Sequence, residues 1–136
     1  MKKFASFLVV TFGCIFFAFQ AQGEEISYTA ATDSDGVQRA EILGGSYFFK
    51  PNRVIVKVGV PVELKLKKES GIVPHNFVIK EPEAGMDFEV SLTTEPKVVK
   101  FTPTKSGRYP FYCSKKLLIF ESHEEKGMKG VLEVVE

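Results

Sequence analysis

From Glu41 onward, hydrophobic and polar residues alternate along the chain. In "RVIVKVG", Val54, Val56 and Val58 fall on one face, with Arg53, Ile55 and Lys57 on the other. In "VELKLKK", Val62, Leu64 and Leu66 alternate with Glu63, Lys65 and Lys67. Successive side chains of a strand point to opposite sides, so this period of two predicts half-buried strands. Gly59 and Pro61 punctuate a tight turn between these two. Further short strands are expected at "HNFVI", "KVVKFT", "GRYPFYC" and "GVLEVV", while "EPEAGMDFEV" and "TPTKSG" read as turn-rich connectors. The sequence shows no long helical period, repeat or low-complexity tract. About seven short strands separated by turn signals predict an all-β chain, an antiparallel β-sandwich or barrel. The immunoglobulin variant is disfavoured, because this part has no tryptophan and no second cysteine.

The start of the chain follows another pattern. Lys2 and Lys3 precede an unbroken apolar run from Phe4 to Phe19, and "QAQG" follows. Basic, apolar and small segments in that order read as a secretory signal peptide over residues 1–23. The alternative is an uncleaved N-terminal anchor, although a run of 16 residues is short for a bilayer span of about 20. Cys14 lies inside the apolar run with no lipobox before it, and it is read as discarded with the leader. Residues 24–40 are polar and weakly patterned. They read as a flexible lead-in with room for an edge strand near Ile26 to Thr29, ahead of a domain over residues 41–136.

Charge narrows the partners. Of 18 basic residues two fall in the leader, so the rest of the chain carries 16 against 17 acidic residues. That near-neutral balance gives no case for nucleic acid or an anionic membrane surface. Export is expected to place the protein in the periplasm or outside the cell. A single cysteine, Cys113, then remains in an oxidising compartment, where it cannot form an internal disulfide. A ligated or buried thiolate is the usual way to keep one.

The soft and imidazole ligands after the leader are few: Cys113, His75, His123, Met86 and Met128. Two imidazoles, a thiolate and a thioether suit a trigonal copper centre with a long axial methionine, and they tolerate both Cu(I) and Cu(II). Each residue has a plainer reading when taken alone. His75 could be a satisfied core histidine, Cys113 a small buried hydrophobe, and Met128 core packing. Met86, in "EAGMDF", reads as packing. No Ser-His-Asp arrangement or phosphate-cradling loop is present, and Glu124 and Glu125 have no pocket signal, so no catalytic residues are expected.

The segments "FKPNRVIVKVGVPVELKLKK", "PHNFVI" and "FYC…H…GMKGVLEV" resemble the cupredoxin family of blue-copper-like domains, over roughly Tyr47 to Glu136. More narrowly, they are similar to small exported cupredoxin-like domains also found fused to an iron-uptake lipoprotein. The resemblance implies a Greek-key β-sandwich. It implies one mononuclear copper ion held by His75, Cys113 and His123, with Met128 axial. It gives Asn76 an outer role, tying the ligand loops together and donating a hydrogen bond towards the thiolate. One feature departs from the plastocyanin and azurin pattern, in which only a few residues separate the cysteine from the histidine. Here nine residues, "SKKLLIFES", intervene, while the four residues between His123 and Met128 keep the plastocyanin spacing. A short helical turn is accommodated inside Leu117 to Lys126. The apolar run Leu117 to Phe120 has two readings: it covers the metal edge, or it forms an exposed patch where a redox partner docks. The expected function is that of a monomeric, periplasmic one-electron carrier. The rivals are copper sequestration or delivery, and a metal-free interaction module.

Overall fold

A computed structural model describes residues 23–136. The leader read from residues 1–23, and Cys14 within it, lie outside the described residues apart from Gly23. Ten strands form two facing sheets. In chain order they are β1 (Ser27–Thr29), β2 (Gln38–Gly45), β3 (Phe48–Lys50), β4 (Arg53–Lys57), β5 (Val62–Lys68), β6 (Asn76–Glu81), β7 (Met86–Ser91), β8 (Lys97–Phe101), β9 (Gly107–Tyr112) and β10 (Lys129–Val135). One 3-10 turn, Pro82–Ala84, links β6 to β7. One sheet runs β1-β4-β10-β9-β6-β7 and the other β3-β2-β5-β8.

The all-β sandwich follows the period-two pattern. Val54, Val56, Val62, Leu64 and Leu66 are all buried between the sheets. The expectation of antiparallel pairing needs correction: β1 with β4, β4 with β10, and β2 with β5 run parallel. The reason lies at Gly59 and Pro61. The turn they mark carries the chain from one sheet to the other and does not close a hairpin, because β4 and β5 belong to different sheets. Strands that next meet within one sheet have then crossed over, and a crossover permits parallel neighbours. Gln38, fully buried, fastens that crossing. Its amide donates to the carbonyls of Lys57 and Val60 at 3.0 and 3.2 Å and accepts from the Lys57 N–H at 2.6 Å.

The segment read as a lead-in contributes β1, which pairs with β4, and the first residues of β2. Asn52 ties it down, accepting from the Ile26 N–H at 2.8 Å and donating to the Glu24 carbonyl at 3.0 Å.

The core ends in aromatic rings. Phe49 meets Phe77 and Phe111 edge-on at 5.5 and 5.4 Å between centroids, and Phe77 stacks on Phe111 at 4.8 Å. Each ring lies two residues along the chain from a residue of interest: Tyr47, His75 or Cys113. Side chains two apart on extended backbone share a face, which sets His75 with Phe77 and Cys113 with Phe111, while Tyr47 enters from the tight turn before Phe49. The three rings therefore floor the end of the sandwich where those residues gather.

Candidate metal centre

His75 immediately precedes β6, Cys113 follows β9, and Met128 precedes β10. All three strand ends lie at one end of the larger sheet. β6 and β9 share one paired position, Val78 with Tyr112, just below His75 and Cys113. The donor atoms converge. The two Nδ1 atoms of His75 and His123 lie 3.1 Å apart, and Cys113 Sγ stands 4.0 Å from the first and 3.5 Å from the second. A single ion with bonds of about 2.0 Å to nitrogen and 2.3 Å to sulfur would span its ligands by about 3.4–3.8 Å. The observed 3.1, 3.5 and 4.0 Å depart from that range by no more than about 0.3 Å, so the residues present fit a metal. All three side chains are buried, and Met128 beside them is fully enclosed. The Met128 methyl reaches Gly44, where an added Cβ would come within 3.2 Å of it.

The nine-residue gap is resolved by backbone hydrogen bonds. The His123 N–H donates to the Lys115 carbonyl at 2.9 Å, so residues 116–122 leave and return through a closed neck. His123 thus reaches Cys113 as closely as a shorter loop would bring it. Ser122 and Glu125 then bond reciprocally. The Glu125 carboxylate accepts from the Ser122 N–H at 2.6 Å, and the Ser122 hydroxyl accepts from the Glu125 N–H at 3.2 Å. This capping box starts one helical turn at His123. It ends at Gly127, whose φ of 103° few other residues would adopt. That turn is the helical feature expected in this loop. The Met128 N–H donates to the His123 carbonyl at 2.9 Å, and the Met128 carbonyl accepts from the Cys113 N–H at 3.0 Å. Backbone bonds therefore link Cys113, His123 and Met128 in one chain.

Asn76 bridges the two loops that carry His75 and Cys113. Its backbone N–H points at Cys113 Sγ at 3.4 Å. Its side chain accepts from the Ser114 N–H at 2.8 Å and donates to the Ser114 hydroxyl at 2.8 Å and the Glu89 carboxylate at 2.7 Å. The loop of His75 and the loop of Cys113 are clamped by this one amide.

Tyr47 escaped sequence reasoning. It stands in the two-residue connection between β2 and β3, where Gly45 pairs with Phe48, and it holds a φ of 64°. Tight hairpins demand such a backbone and normally recruit glycine or asparagine, so the sequence carried no cue. Its ring packs edge-on against His123 at 5.0 Å and His75 at 6.3 Å, and the Lys126 ammonium lies 4.4 Å from its centre. Met86, read as packing, is fully buried in the core.

The reading that Leu117 to Phe120 covers the metal edge is overturned. The run projects into solvent, with Leu118 80% and Ile119 94% exposed. It flanks a groove of about 320 Å³, lined also by Ile72, Val73, Tyr47 and His123.

Burial pushes the His75 pKa from 6.5 down to about 4, assisted by the neighbouring His123 and Lys68. Burial and Lys126 push His123 in the same direction. Both rings are therefore neutral at neutral pH, as metal ligation requires. The unfolded chain takes up these protons at higher pH than the folded one, so stability is full above the unfolded value and falls as pH drops towards 4. For the metal-free protein, His75 alone is expected to remove about 2 kcal/mol between about pH 7.5 and about pH 5. Urea unfolding at the two pH values measures this. An unchanged midpoint would mean that the folded site protonates freely.

Residues 7–132 match the family described as the cupredoxin-like domain. The chain belongs to that family. Among solved structures, the metal-binding domain of the Cu(I)-exporting P-type ATPase CopA of Streptococcus pneumoniae D39, determined with Cu(I), is 22% identical. It covers 84% of this chain and 100% of that domain, with a TM-score of 0.63. Dithionite-reduced auracyanin of Roseiflexus castenholzii is 21% identical over 79% of this chain and 99% of its own, with a TM-score of 0.59. The periplasmic domain of cytochrome oxidase subunit II of Bradyrhizobium japonicum is 15% identical over 72% and 83%, with a TM-score of 0.55. At these identities the likeness is one of fold. No curated protein sequence matches the chain.

Proposed function

We propose that this cupredoxin-like protein is an exported carrier of one copper ion that moves single electrons between partner proteins. The observation that carries this reading is the buried triangle of two imidazole Nδ1 atoms and one thiol sulfur. His75, His123, Cys113 and Met128 would hold the ion. Bound copper supplies a one-electron couple at such a set. The protein's part is to keep the ligands where they are in both oxidation states. Asn76 fixes the two loops, and the backbone bonds from Cys113 through Met128 to His123 leave little freedom. The Asn76 N–H offsets charge on the sulfur, while Tyr47 and the three phenylalanine rings keep water from the donors. The groove beside His123 gives a partner a short approach to the imidazole edge. The leader over residues 1–23 would deliver the chain across a membrane.

Cu(II) titration of residues 24–136 is expected to saturate at one ion per chain, with an intense visible sulfur-to-copper band. Ascorbate should bleach that band, and oxidation should restore it. A colourless protein that does not retain copper would refute the reading. Tight Cu(I) binding with irreversible reduction and rapid metal exchange would replace it with copper delivery.

A further inference from the structure

Four consecutive large apolar side chains at the tip of an exposed loop require an explanation that the metal site does not supply. Leu117, Leu118, Ile119 and Phe120 are 65%, 80%, 94% and 57% exposed, and Ile72 on the neighbouring loop is fully exposed. Isolated apolar residues on a surface are ordinary; a contiguous projecting group of five marks an interaction site. The tip is also ordered. The Phe120 N–H donates to the Leu117 carbonyl at 3.0 Å, closing a turn, and Leu118 holds a φ of 51° within it. A solvent turn would place glycine, asparagine or aspartate at such a residue. Leucine stands there against local preference, so its apolar character, and not the bend, is what the position uses.

We propose that this tip, with Ile72 beside it, inserts into the boundary between headgroups and acyl chains of a phospholipid bilayer. Two observations favour a bilayer over a protein surface. Lys115 and Lys116 immediately precede it, where their ammonium groups meet phosphates once the leucines are immersed. Gly23, the first described residue, also lies at the same end of the sandwich. β1 runs parallel to β4 and β4 to β10, and β10 begins directly after the loop that carries the tip. Asn52 joins that end as well, binding both Ile26 and Glu24 and accepting from the Val131 N–H. The apolar run Phe4 to Phe19 lies just upstream of that end in sequence. Glu121, Glu124 and Glu125 balance the nearby lysines, so insertion is driven by apolar contact and binding does not require an anionic lipid. The proposal does not rest on copper. It implies that a partner approaching the groove beside His123 is itself at the membrane.

Residues 24–136 contain both sheets and the whole core, and they are the protein to test. With phosphatidylcholine vesicles, and with vesicles also containing phosphatidylglycerol, the chain is expected to co-sediment in both cases and to persist at high salt. The double variant L118D/I119D should lower the partition coefficient at least tenfold while keeping its circular dichroism and copper spectrum. Val98→Asp, an exposed apolar position on β8, should leave partitioning unchanged. The chain has no tryptophan, so Ile119→Trp gives a sole reporter whose emission should shift to the blue and be quenched by brominated acyl chains. Failure to bind either vesicle would overturn the proposal. So would binding lost only on salt addition, or dimerisation abolished by L118D/I119D, which would make a second copy the occupant.

Discussion

Substituting Cys113 with serine is expected to abolish the visible band and to weaken copper retention by about a hundredfold or more, beyond the loss typical of an outer hydrogen-bonding partner. The argument begins with what the substitution preserves. Serine has nearly the same size, and the position is fully buried and fixed by the backbone bond to the Met128 carbonyl. The Asn76 N–H that points at the sulfur can donate to a hydroxyl as well. The fold should therefore survive, and circular dichroism checks that it does. What is lost is the only soft anionic donor among the described residues that could bind copper here. A serine hydroxyl, unlike a thiol, does not ionise near neutral pH, and hard oxygen suits neither state of the couple as thiolate does. His75 and His123 remain 3.1 Å apart and could retain copper weakly without the intense colour. Visible absorption with a competing chelator separates these outcomes. An intense band surviving in Cys113→Ser would remove Cys113 from the ligand set.

The residues that carry chemistry were easier to read than the way the chain brings them together. Cys113, His75, His123 and Met128 stand out because few residue types can bind a soft metal and the chain holds so few of them. The buried faces of β4 and β5 were legible for an equally simple reason, since a period of two survives any choice of partner strand. Pairing direction was not legible. Whether Gly59 and Pro61 close a hairpin or cross between sheets depends on contacts such as the Gln38 amide, which come from far along the chain. The nine-residue gap looked like a departure for a similar reason. A loop's length does not reveal that its ends meet, and the bond from His123 to the Lys115 carbonyl joins two backbone groups that leave no mark in composition. The capping box was present in "SHEE" as a serine followed three residues later by a glutamate. That signal would have placed a turn at His123. The exposure of Leu117 to Phe120 was legible only as one of two readings, because hydrophobicity alone does not say whether an apolar run turns inward or outward.

Asn76→Ala is the second substitution with a large expected effect, and its value lies in reading fold and centre separately. Three side-chain hydrogen bonds disappear: one from the Ser114 N–H, one to the Ser114 hydroxyl and one to the Glu89 carboxylate. Ordinary hydrogen bonds contribute about 1 kcal/mol each and one to a charged group about twice that, so the loss is about 4 kcal/mol. For a domain of this size the melting temperature should fall by roughly 15 °C. The backbone N–H towards Cys113 Sγ is untouched by the change, so any effect on the centre must come through the loops. β6 and β9 pair at a single position below the site, so without the clamp the His75 and Cys113 loops keep only the Asn76 N–H to Cys113 and the Phe77–Phe111 stack between them. Copper release should therefore accelerate about ten- to a hundredfold, the range for outer-shell partners of a metal. The visible band should broaden as the ligand geometry loosens. Asn76→Asp supplies the contrast. It can still accept from the Ser114 N–H but sets a carboxylate against Glu89, so it should keep part of the clamp's geometry while losing comparable stability. A lowered melting temperature with unchanged copper release in both variants would limit Asn76 to the fold. Faster release from Asn76→Ala than from Asn76→Asp, at matched stability, would show that the clamp holds the ligands in place.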